Sequence, residues 1–132
     1  MNPLAKLSSA TTMLIVADVK KTAEFYRDTL GFEIEFVIEE GVPFSAVFRD
    51  GYKIFFESYP NYKEDYRNFE KAAVKCGVYF MVEDVDALYE ELKGRGAAFA
   101  WTPQNQAYGN RDMKLLDNNG YQLLFATELE NE

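Results

Sequence analysis

At 132 residues, with 48% hydrophobic and 16% aromatic content, the chain has the size of one domain and enough apolar side chains for a core, which excludes disorder. A formal net charge of −8 argues against nucleic acid and anionic membranes as partners, since both need a basic patch, and favours a cationic ligand. No run reaches the roughly 18 apolar residues of a membrane span.

Met1 to Lys6 lacks the apolar stretch of a secretory signal, and a single cysteine closes no internal disulfide, so the expected location is the cytoplasm. That cysteine, Cys76, has no histidine anywhere in the chain to activate it. It reads as a small residue near a strand start rather than a nucleophile.

Residues 12–17 read as a strand with Thr12, Leu14 and Val16 on one side and Met13 and Ile15, with Thr11, on the other. Asp18 is a fitting N-cap for a helix to about Leu30, with Val19, Ala23, Tyr26 and Leu30 as its buried stripe and Gly31 as its stop. Phe32 to Ile38 alternates with Glu33 and Glu35, predicting a strand with one wetter face. After a break at Gly41-Val42-Pro43, Asp50-Gly51 joins strands Phe44–Arg49 and Tyr52–Glu57 in a hairpin. Tyr59, Tyr62, Tyr66 and Phe69 then recur every three or four residues, as in a short helix with an aromatic face.

The order then repeats. Strand Val78–Val82 leads to a helix capped by Asp84, with Val85, Leu88 and Leu92 inward and Gly94 and Gly96 at its end. A short strand Ala97–Trp101 precedes a loop, Thr102 to Ala107, expected to overhang a ligand site. Strands Arg111–Leu116 and Tyr121–Thr127 flank the turn Asp117-Asn118-Asn119-Gly120. Val16-Ala17-Asp18-Val19 is echoed by Val82-Glu83-Asp84-Val85, an offset of 84 − 18 = 66, and Gly51-Tyr52 by Gly120-Tyr121, an offset of 120 − 51 = 69. Two ordered matches at nearly one spacing indicate a duplicated unit.

The expected fold is therefore α+β: two tandem βαβββ modules forming an open curved sheet, a half-barrel with helices outside. Module one covers about 11–58, a linker about 59–76 and module two about 77–127, all within one domain. Alternation assigns Leu14, Val16, Ile54, Phe56, Val78, Phe80, Val82, Leu123 and Phe125 to the core. The opposite face receives Thr11, Met13, Ile15, Lys53, Phe55, Glu57, Gly77, Tyr79, Met81, Gln122, Leu124 and Ala126, an apolar and aromatic floor suited to a small molecule. Trp101 and Tyr108 bracket the expected loop and are candidates for stacking on a planar ligand.

The run Val16 to Phe32 closely resembles the first strand and helix of the glyoxalase/bleomycin-resistance/dioxygenase group, the vicinal oxygen chelate superfamily. Val82 to Tyr89 resembles the opening of that group's second module. Tyr108-Gly109-Asn110-Arg111-Asp112-Met113, followed by Asp117-Asn118-Asn119-Gly120, resembles its Trp-Gly-x-Arg-Glu-Phe signature and closing turn. The resemblance spans about residues 11–127 and is specific for fold rather than reaction. It implies a divalent metal held by His, Glu or Gln at four positions, which here are Thr11, Phe55, Gly77 and Leu124. Such a set offers one hydroxyl and no ordinary metal ligand, so no metal and no cofactor is expected. Arg111, kept by the signature across unrelated ligands, is expected to pair with a carboxylate and fix its strand.

The resemblance is closest to the metal-free bleomycin-resistance branch. That implies a homodimer sequestering a cationic, aromatic drug or metabolite, with antibiotic resistance as the associated phenotype. The ligand-binding candidates are Met13, Phe55, Glu57, Tyr79, Met81, Trp101, Tyr108, Gln122 and Leu124. The competing reading is a lyase-, isomerase- or dioxygenase-like enzyme using a non-standard metal site or Glu57, a weak candidate as general base. A third is a dimerising interaction module whose cup is filled by its partner.

Overall fold

The computed structural model describes residues 4–59 and 75–130. Tyr62, Tyr66 and Phe69 of the expected aromatic helix lie outside the described residues, as does the side chain of Cys76. Module one runs β1 (Thr12–Ile15), α1 (Val19–Leu30), β2 (Glu33–Ile38), β3 (Phe44–Arg49) and β4 (Tyr52–Glu57). Module two runs β5 (Lys75–Met81), α2 (Val85–Gly94), β6 (Phe99–Asn105), β7 (Asn110–Leu116) and β8 (Tyr121–Glu128).

Each of these two helices starts where an aspartate satisfies orphan backbone donors. Asp18 accepts from the amides of Lys20 and Lys21 at 3.0 Å, and Asp84 from that of Ala87 at 3.1 Å. Gly31 ends α1 at φ 74°, a left-handed conformation that favours glycine. Each module folds into a four-stranded sheet, β1-β4-β3-β2 and β5-β8-β7-β6, in which the first strand lies parallel to the last and the remaining neighbours are antiparallel. The α+β class and the two βαβββ units are as expected.

The strand faces follow the alternation. Leu14, Val16, Ile54, Phe56, Leu123 and Phe125 are buried in one core shared by both modules, and Val78, Phe80 and Val82 pack against it. Tyr26 is its largest fully buried side chain, its ring 4.9 Å from Phe56 and 5.5 Å from Phe32. Burying such a ring contributes about 2–3 kcal/mol from area alone.

Three expectations need correction. Residues 102–105 belong to β6 rather than to an overhanging loop. Pro103 does not break the strand, because β6 is an edge strand whose pairing with β7 slips twice, and proline is tolerated at such edges and bulges. β5 starts at Lys75, three residues earlier than expected, with its own register shift between Lys75 and Val78. Ala126, assigned to the ligand floor, is fully buried.

The modules are not joined through a strand edge. Among the described residues no ladder crosses between the sheets. They meet through the shared core and through the Asp117–Gly120 turn, which reaches onto module one. The Tyr26 hydroxyl donates to Asp117 Oδ2 at 2.7 Å, Asn119 Nδ2 donates to Thr22 Oγ1 at 3.0 Å, and the Tyr121 hydroxyl donates to the Ile15 carbonyl at 2.6 Å. On the other flank Arg49, at the end of β3, forms a two-pronged ion pair with Glu91 of α2, both contacts at 2.8 Å.

Candidate functional site

The residues singled out from sequence fall into two groups, one on each sheet, on the faces turned away from the core. On sheet one, β-register places Met13, Phe55, Ala46 and Phe36 in one row, and Ile15, Glu57, Phe44 and Ile38 in the next. The small Ala46 lies between Phe55 and Phe36 and leaves room above it for rings. Phe36 stacks on Phe44 at 5.7 Å and 14°, and Phe44 lies 5.3 Å from Phe55. Met13 is exposed beside them. Glu57 Oε2 accepts from the Tyr59 hydroxyl at 2.8 Å. The bulge between Ile34 and Phe36 shifts the alternation of β2 by one residue and hides Phe36 in the sequence, while Phe44 reaches the same face through the unshifted β3–β4 register.

On sheet two, one row contains Met81, Ala126, Asp112 and Gln104, and the next Tyr79, Leu124, Lys114 and Trp101. Asp112 is fully buried. It accepts from Trp101 Nε1 at 3.1 Å, from Gln106 Nε2 at 3.0 Å and from the Tyr108 hydroxyl. A carboxylate taken out of water needs such donors, because burying it unpaired is costly. All three are neutral groups, and among the described residues no cation forms an ion pair with Asp112.

The Tyr108 ring remains 63% exposed while its hydroxyl is tied down. Donation to Asp112 pushes its phenol up to about 12. Tyr79, half exposed, accepts from Asn110 Nδ2 at 2.7 Å, and the Lys114 ammonium lies 5.0 Å from the centre of the Trp101 ring. Gln122 pairs with Leu116 near the far end of β8. Trp101 and Tyr108 are thus brought together, by Asp112. Only the resemblance of Tyr108–Met113 to a signature pointed to Asp112, since it reads as one more charge in an acidic chain. Arg111 is on the core-side register and grips Asp86 of α2 through two contacts of 2.9 and 3.0 Å, which holds the Asp86 carboxyl below its ordinary value.

The family-type metal positions do not fit a divalent ion. Phe55 belongs to the aromatic row, Leu124 lies between Tyr79 and Lys114, and Thr11 precedes β1. At Gly77 a Cβ would fall 1.7 Å from the Gln122 carbonyl oxygen, so a side-chain ligand has no room there. Among the described residues no three His, Cys, Asp or Glu side chains converge on a common point.

A further cavity, of about 690 Å³, touches the sheet-two face only at Met81. It is a groove between the modules, bounded by the β3–β4 turn and by α2. Among the described residues no helix is long and apolar enough to cross a membrane.

The sequence profile of the Glyoxalase/Bleomycin resistance protein/Dioxygenase superfamily matches residues 8–125. No curated protein sequence matches the chain. Among solved structures, a glyoxalase/bleomycin resistance protein/dioxygenase from Nocardioides superposes with a TM-score of 0.72 at 17% identity, over 98% of this chain and 89% of that one. A superfamily member from Sphaerobacter thermophilus gives 0.67 at 25% identity, over 91% and 98%. A glyoxalase/bleomycin resistance protein from Catenulispora acidiphila gives 0.64 at 23% identity, over 89% and 96%.

Proposed function

The chain belongs to the glyoxalase/bleomycin resistance protein/dioxygenase superfamily, and from that premise we propose that it is a non-catalytic binding protein for a cationic, aromatic small molecule. The observation that carries this reading is Asp112, a buried carboxylate held by three neutral donors beneath the exposed Tyr108 ring. Tyr108 and the face of Trp101 not covered by Lys114 supply rings, and the carboxylate supplies negative potential at short range. The net charge of −8 adds a long-range field of the same sign.

Exposed Met13, Tyr79 and Met81 support a second element of the proposal. Apolar side chains on two open faces favour a homodimer in which one copy covers the face of the other and encloses the ligand between Phe36, Phe44 and Phe55 of one module and Trp101 and Tyr108 of another. Sequestration of such a ligand in the cytoplasm would give a cell tolerance to a toxic cationic drug.

Native mass spectrometry of the protein with titrated bleomycin tests this reading. A dimer that takes up the drug, and loses uptake by about ten-fold or more in Trp101→Ala, is the expected result. A monomer with no uptake, or uptake indifferent to Trp101→Ala, would overturn it.

A further inference from the structure

The two modules are related by an approximate internal repeat, and the repeat makes each inter-module contact comparable with its counterpart. Tyr121 corresponds to Tyr52 at the offset of 69, and Ile15 corresponds to Met81 at the offset of 66. Tyr121 is 3% exposed, its ring fills the joint between the modules, and its hydroxyl is bonded to the Ile15 carbonyl. Tyr52 is 75% exposed. Asn119 follows the same logic: it accepts from the Ala17 amide at 3.4 Å and donates to Thr22, whereas its counterpart Asp50 borders an open space facing Glu83 and Leu88, the counterparts of Ala17 and Thr22. The groove of about 690 Å³ is therefore the unfilled mate of a joint that the other module closes with a tyrosine.

Its chemistry is legible from its walls. Phe32, Phe80 and Phe125 form the floor, with Phe80 stacked on Phe125 at 4.6 Å and 7° and edge-on to Phe32 at 6.2 Å. Four carboxylates border it, Asp50, Glu83, Asp84 and Glu91, against one guanidinium, Arg49, which engages Glu91 and, at 3.7 Å, Asp50. The volume lies within the range of small-molecule sites.

We propose that this groove is a second ligand site, bordering the sheet-two outer face only at Met81, for an arylalkylamine: a ring that occupies the place left unfilled by Tyr52, which stays on the groove's rim, and an ammonium group that meets the acidic border. A phenol ring satisfies the apolar floor by burial and edge-to-face contact. The ammonium adds attraction in a partly desolvated setting, where a charge pair counts for more than in open water.

Tyramine is the probe, with p-cresol as its uncharged analogue, and amide chemical shifts in the intact protein are the readout. Saturable shifts confined to Phe80–Leu88 and the β3–β4 turn are expected. Ala87→Trp, which fills the groove from α2, should weaken tyramine about ten-fold or more, and Trp101→Ala should leave it unchanged. Glu83→Lys at the exposed border should weaken tyramine and spare p-cresol, and it keeps the test sharp if Ala87→Trp disturbs folding. No saturable shift below about 10 mM tyramine, shifts centred on Trp101 and Tyr108, or indifference to both groove variants would overturn the proposal.

Discussion

The Tyr26 hydroxyl, on a helix of the first module, donates to the Asp117 carboxylate at 2.7 Å in a turn of the second, and both residues are buried. Asp117 Oδ1 also accepts from the amides of Asn119 at 2.8 Å and Tyr121 at 2.9 Å. One carboxylate thus shapes its own turn and fastens that turn to the neighbouring module. Tyr26→Phe keeps the ring and removes the donor. It should destabilise the protein by about 1.5–3 kcal/mol in urea unfolding, because a buried charge acceptor loses a partner.

The same pair sets a pH dependence. Burial first, and then the Asp117 charge and hydrogen bond, raise the Tyr26 pKa well above 10.0. The folded state therefore keeps a proton that the unfolded chain releases. The contribution is fully present below about pH 10 and is lost progressively as pH rises from there toward the folded value. Alkaline denaturation of wild type should be steeper than that of Tyr26→Phe, measured as the slope of unfolding free energy against pH.

Asp112→Asn should act on the second sheet in two readouts. An amide cannot accept from Trp101, Gln106 and Tyr108 as a carboxylate does, so Tm should fall, with an expected cost of about 1–3 kcal/mol. The Tyr108 phenol, now held up to about 12 mainly by that hydrogen bond, should return toward 10.0 in an NMR titration of labelled tyrosine. A Tyr108 titration unchanged by the substitution would contradict the hydrogen bond as its cause.

Gly77→Ala should be among the more damaging single-methyl additions in the chain. The added carbon meets backbone at 1.7 Å, which no side-chain rotation relieves, so β5 must shift against β8. A loss of about 2 kcal/mol or more is expected in urea unfolding.

Arg49→Ala should cost less than Tyr26→Phe, about 0.5–1 kcal/mol, since its partner Glu91 is 40% exposed. Arg49 holds the Glu91 carboxyl below its usual 4.5, so this contribution is present above about pH 4.5 and is lost as pH falls through the lower folded value. Added salt should shrink it, and the cost of Tyr26→Phe should respond less.

The core was legible in the sequence because period-two alternation and the helical stripe of Val19, Ala23, Tyr26 and Leu30 each report burial on a single element. Asp18 and Asp84 were legible for a local reason as well, since an N-cap acts within three residues. What could not be read was set by contacts at long range. Tyr26 and Asp117 are 91 positions apart, and nothing in either segment announces the other. The clustering of Trp101, Gln106 and Tyr108 on Asp112 was hidden by the double slip in β6, which turned an apparent loop into strand. Phe36 was hidden by a bulge of the same kind.

The uneven joining of the two modules has a mechanical consequence. The flank carrying Asp117, Asn119 and Tyr121 behaves as the spine of a book, pinned by several buried or half-buried hydrogen bonds. The flank carrying Arg49 and Glu91 is the fore-edge, held by a clasp that water can reach. Thermal rocking of one module against the other should then be hinged rather than isotropic, with amide hydrogens at the fore-edge exchanging earlier than those of the spine.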